Sequence, residues 1–145
     1  MNWKNEAIEK LEQYEAKKQA IETIPEEIAR LASAAHKIRS GTPSEVSVIG
    51  SGSKREDALL NNIVKREELN WSLEQARKWI CIVETGLNVL NEEERTILER
   101  FYIHAEKGAA EKIAYDFAMD VKTVYRRKDS ALRRFTLALY GCMES

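Results

Sequence analysis

Between Lys112 and Lys128 the side chains alternate in a way that admits few folds. Ile113, Ala114 and Phe117 fall on one face of a short helix. Ala118-Met119 then supplies a tight turn, and Asp120 is placed to cap the next helix by accepting a free backbone N–H. That second helix carries Val124 inward, while Lys122, Tyr125 and Arg126 project elsewhere. A small Ala114 opposite Val124 lets the two helices cross closely. The pattern predicts a helix-turn-helix, the arrangement that presents its second helix to the major groove of DNA.

Charge bears on that expectation once it is divided along the chain. The 145 residues carry a formal net charge of -1, which is not the signature of a general nucleic-acid binder. Residues 1–80 balance at 13 basic and 13 acidic side chains, and residues 81–120 carry 4 basic against 9 acidic. Residues 121–145 carry 6 basic (Lys122, Arg126, Arg127, Lys128, Arg133, Arg134) against 2 acidic. The basic excess therefore sits on the expected reading helix, where phosphate neutralisation needs it. A solvated charged helix face is the bland alternative.

The rest of the chain reads as helical. Ala7, Ile8, Leu11, Tyr14 and Ile21 recur at three-to-four spacing and predict a helix over 3–22. Pro25 interrupts it, and Thr23-Ile24-Pro25-Glu26 has the form of a capping box. Either a second helix starts at Ile24 or one long helix kinks there; Ile28, Leu31, Ala35 and Ile38 carry the stripe to about 39. Residues 40–53, rich in Gly and Ser, read as a flexible connector in which Val46, Val48 and Ile49 favour a brief extended segment. Ser53-Lys54-Arg55-Glu56 predicts the start of a long third helix reaching about 88. Along it Leu69, Leu73, Ala76, Ile80, Val83, Leu87 and Leu90 form a heptad seam, to be covered by the N-terminal helix folded back antiparallel or by a second copy. Trp71 and Trp79 lie off that seam and are expected in a broad core, with an interface as the alternative. Asn91 caps a fourth helix, with Glu94 three residues on and Ile97, Leu98, Phe101 and Tyr102 buried, as far as Gly108. The last helix runs from Val121 to about Tyr140, with Val124, Ala131, Leu132, Phe135 and Leu139 inward and Gly141 as its stop. The expected fold is all-α: a long antiparallel, coiled-coil-like region over 1–88, then a helix-turn-helix domain over 89–141.

Residues 90–136 resemble the promoter-reading domain, region four, of bacterial sigma factors. The likeness rests on Leu90, Glu94, Ile97-Leu98, Tyr102, Ile113-Ala114, Phe117, Val124 and the run Ala131-Leu132-Arg133-Arg134-Phe135. No other segment resembles a sigma factor. Taken whole, the order of parts is similar to the RinA/ArpU-type phage transcriptional regulators, which end in Thr-Val-Tyr-Arg followed by Ala-Leu; here these are Thr123-Val124-Tyr125-Arg126 and Ala131-Leu132. The resemblance implies a phage or prophage regulator, typically an activator of late genes, working in the cytoplasm of a bacterial host on double-stranded DNA. By position it makes Val121, Lys122 and Arg126 base-reading residues, with Tyr125 beside them. Lys122 and Arg126 suit guanine O6 and N7. Val121 stands where a polar residue is expected and suits only a thymine methyl. Arg127 stands where the family is apolar, so either the helix turns slightly or Arg127 reaches a phosphate. Thr123 fits a phosphate contact or a helix-start role. Arg133 and Arg134 suit the DNA backbone or RNA polymerase. A homodimer reading two half-sites is a further expected partner.

Two other functions fit the same features: a DNA-packaging subunit resembling small terminases, and a helical adaptor whose basic helix meets only protein. An enzyme is not expected, for there is no Ser/His/Asp set, phosphate-cradling loop or paired-carboxylate motif. The triplet Glu92-Glu93-Glu94 has no convergent histidine and reads as a first-turn helix feature. Cys81 and Cys142, with only His36 and His104 elsewhere, have no zinc-ligand spacing, and neither a metal nor another cofactor is expected. His104 reads as a solvent-facing helix end. Two cysteines make no disulfide scaffold, the N-terminus lacks a signal-like apolar core, and no apolar run reaches membrane-spanning length. A cytoplasmic, membrane-free protein is expected.

Overall fold

A computed structural model describes residues 1–40 and 52–144. Among them the regular structure is helical, with one isolated antiparallel bridge between Asn2 and Glu144. The Asn2 carboxamide accepts the backbone N–H groups of Lys4 and Asn5 and starts α1 (Trp3–Glu12). After Gln13 come α2 (Tyr14–Ser40), α3 (Gly52–Asn88), α4 (Glu92–Leu98) with a π-helical turn (Glu99–Ile103), α5 (Ala109–Asp116) and α6 (Val121–Tyr140). None of these helices is long and apolar enough to cross a membrane.

The chain forms two compact units, one of residues 18–77 and one of residues 1–17 with 78–145. In the first, α2 and α3 run antiparallel. Asn62 donates to the Leu31 carbonyl at 2.7 Å, and Arg55 donates to the carbonyls of Ile38 and Arg39 at the end of α2. Leu31, Ala35, Leu73 and Ala76 are buried here. Asn62 is buried too, but its second group accepts from Arg66, so the polar side chain in the seam is satisfied.

In the other unit Ala7, Leu11, Val83, Leu87, Leu90, Leu98, Ala131, Leu132 and Phe135 form one core. Trp79 lies against it and donates to the Lys10 carbonyl at 3.0 Å, and Tyr14 donates to Glu84 at 2.9 Å. Lys10 and Lys17 cover the Trp79 ring. The ends of the sequence meet in this unit. Trp3 stacks on Tyr140 with ring centroids 4.7 Å apart, and the Trp3 backbone N–H donates to the Met143 carbonyl. A second core of Ile97, Ala109, Ala110, Ile113, Ala114 and Val124 joins α4, α5 and α6.

The heptad seam is buried or half-buried along its length, as its spacing predicts. Several local expectations are corrected. Of the two readings at Pro25 the single long helix holds, since α2 runs through Pro25, which has no N–H for the Ile21 carbonyl, and the Thr23 hydroxyl donates back to the Gln19 carbonyl instead of capping a new helix. The distortion comes earlier, at Gln13, and the backbone bonds Gln13 to Glu9 and Lys17 to Gln13 carry the ladder across it. The fourth helix stops being α-helical at Leu98 and loosens into the π-helical turn, closed by the His104 N–H on Glu99. Trp71 is 67% exposed and takes no part in a core. The expected connector and its extended segment fall almost wholly outside the described residues, as does the Ser53 side chain.

Candidate nucleic-acid interface

Three devices place α6 against α5. The Asp120 carboxylate accepts the Thr123 N–H at 2.7 Å and starts the helix. The Thr123 hydroxyl first, and then that backbone bond, hold the Asp120 carboxyl below its ordinary range, and Arg126 adds a smaller push in the same direction. Ala114 and Val124 meet in the second core, where the small alanine lets the helices approach. Between the helices Ala118 adopts a left-handed backbone, φ 51°, so the reversal is completed in four residues without a glycine. Phe117, expected inward, is 37% exposed at this turn, where it stands just past the end of α5.

Arg100 braces the other side of the motif. It donates to both carboxylate oxygens of Glu106, at 3.1 and 3.0 Å, and to Asp116 at the end of α5, at 2.7 Å. These bonds hold the Glu106 carboxyl below its usual value. A single guanidinium thus ties the π-helical turn, the following loop and α5 together.

The six basic side chains of α6 divide into three sets. Lys122, Arg126 and Arg133 are exposed and form no ion pair with another described residue. With exposed Asp129 they follow steps of four, three and four, so they lie in one stripe along the helix. Arg127 and Arg134 lie seven residues apart on a different face and turn toward α4, pairing with Glu93 and Glu94 respectively. Arg134 also donates to the Val89 carbonyl at 3.0 Å. Lys128 is mostly covered: its ammonium lies 5.2 Å from the Phe101 ring and 5.1 Å from Tyr125, with Asp129 at 3.8 Å.

The remaining expected site residues are placed as follows. Val121 is half-buried against the second core. Thr123 is half-buried and engaged with Asp120, which is its helix-start role. Tyr125 is 46% exposed, with its ring 6.0 Å from that of Phe101. Sequence reasoning missed the partners of Arg127 and Arg134. The available signal was the acidic pair in the first turn of α4, which it read only as a helix-start feature. It also passed over Asp129, which interrupts the basic stripe.

His104 is exposed, with Glu15 at 3.5 Å, and no group of three or more metal-ligating side chains gathers among the described residues. No family model matches this chain, and no curated protein or solved structure matches it significantly.

Proposed function

We propose that this chain is a sequence-specific DNA-binding transcriptional regulator in which α5, the turn and α6 act as a helix-turn-helix and α6 reads the major groove. The observation that carries the reading is the stripe Lys122–Arg126–Arg133, cationic and unpaired on a helix whose opposite face is locked into two cores. Distance assigns the roles within it. Lys122 and Arg126 are one turn apart, about 6 Å along the axis at ~1.5 Å per residue, and both fit within a groove about 12 Å wide. Arg133 lies about 16 Å from Lys122 on the same measure, beyond the bases and at the level of the flanking phosphates. Tyr125 stands partly exposed beside the two reading residues. Val121 and Thr123 support the start of the helix from below. Asp129 keeps the stripe from being uniformly cationic, which lowers attraction to any duplex and leaves base contacts to decide affinity.

The control of phage or prophage late genes, and contact with RNA polymerase, belong to this proposal through the resemblance of residues 90–136 to region four. Self-association belongs to it as well: Leu60, Val64 and Trp71 are exposed and share one stripe of α3 at steps of four and seven. The test is selection of duplexes by the full-length chain from a randomised pool. Enrichment of a defined sequence of half a dozen or so base pairs is expected. A pool that stays random, or no retention of duplex in moderate salt, contradicts the reading and favours a protein-binding adaptor.

A further inference from the structure

Arg127 and Arg134 look like two more phosphate contacts, but their surroundings say otherwise. Both guanidinium groups are turned away from the outward stripe and held by consecutive carboxylates in the first turn of α4. The Glu94 side chain is only 13% exposed, and it is held at both ends. One of its oxygens accepts the Asn91 N–H at 3.1 Å while its own backbone N–H donates to the Asn91 side chain at 2.8 Å. The capping box that starts α4 therefore also supplies the acceptor for Arg134. Arg127 and Arg134 are separated by two helical turns, so the pairs grip α6 at two points along one edge. Two holds along one edge add to the buried face of α6 in resisting rotation about the axis, and rotation decides whether Lys122 and Arg126 face the bases.

We infer that Glu93–Arg127 and Glu94–Arg134 are a two-point positioning clamp that sets the rotation of α6, and that Arg127 and Arg134 do not contact DNA phosphates. This rests on the proposed reading of DNA by α6. The pairs are partly exposed and contribute little to stability, so replacing Arg127 or Glu93 leaves the fold in place for the binding test. A decoy role, in which the two carboxylates mimic phosphates and are displaced when DNA arrives, fits less well because Glu94 is built into a helix cap.

The two roles separate by salt dependence. Each phosphate contact contributes about 0.9 to the slope of log affinity against log salt. Binding of full-length protein to its selected duplex and to a scrambled one is measured across a salt series for wild type, Arg127→Gln, Arg133→Gln and Glu93→Gln. The clamp predicts that Arg127→Gln leaves the slope unchanged and lowers the preference for the selected duplex, roughly tenfold, the value of one good base contact. Glu93→Gln does the same. Arg133→Gln reduces the slope by about 0.9 on both duplexes. The charge-exchanged variant Glu93→Arg with Arg127→Glu recovers the lost preference, which a phosphate contact at 127 would not allow. A slope reduced by about 0.9 in Arg127→Gln overturns the clamp, and so does tighter binding to both duplexes in Glu93→Gln, the mark of a decoy. If wild type binds no duplex, the DNA reading fails and the clamp falls with it. If wild type binds and only the Arg127 and Glu93 results depart from expectation, the clamp alone fails.

Discussion

Gly86 leaves the larger core no room for a side chain. A Cβ built there comes within 2.6 Å of Phe135 Cε1 and 2.9 Å of Leu139 Cδ2. Phe135 is fully buried and cannot move aside, so α3 and α6 approach at this point only because one side chain is missing. Gly86→Ala should destabilise the protein by about 1–3 kcal/mol through overpacking, despite the better helix propensity of alanine; thermal or urea unfolding checks it. A glycine within a heptad pattern looks like a helix defect, and nothing in the sequence says which ring it admits. Tyr14 gives a second test. Burial first, then its hydrogen bond to Glu84, push the phenol from 10.0 up to about 12. The folded state thus resists deprotonation, so this contribution is complete below pH 10 and is lost as the pH rises from 10 to 12. Replacing Tyr14 by Phe should flatten the loss of stability across that interval, and an unaltered alkaline profile would show that Tyr14 ionises as freely folded as unfolded.

At the scale of elements, the turn between α5 and α6 is open to improvement. Ala118 holds a left-handed backbone, which costs an L-residue with a Cβ about 1–2 kcal/mol. Ala118→Gly relieves that strain, partly offset by the greater freedom of glycine in the unfolded chain. A net stabilisation of up to about 1 kcal/mol is expected, read as a higher melting temperature with DNA binding intact. Helix type and most starts were legible in the sequence, because the seam from Leu69 to Leu90 and the caps Asn91, Asp120 and Gly141 are local signals. The choice between a new helix and a continuous one at Pro25 was not, since a lost rung can be borne by a helix held along its length. The loosening of α4 at Glu99 was equally hidden. It lies where Arg100 reaches both Glu106 and Asp116, and no local pattern in the sequence marks those pairings. The same limit applies to the candidate interface. Residue type and spacing pick out α6 and its basic side chains, whereas the division of those side chains into outward and clamped sets depends on where α4 lies.

For the whole molecule, DNA reading by α6 is the central claim, and the frame beneath it is drawn from both ends of the sequence. Residues of α1, the last turns of α3, α4 and α6 share a core, so α6 rests on more than α4 and α5. The measurement that tests the claim most directly compares wild type and Arg126→Ala on the selected duplex and on a scrambled one, at two salt concentrations. The account predicts a loss of roughly 1–3 kcal/mol on the selected duplex and little change on the scrambled one. Equal losses on both duplexes, or no loss on either, would contradict it.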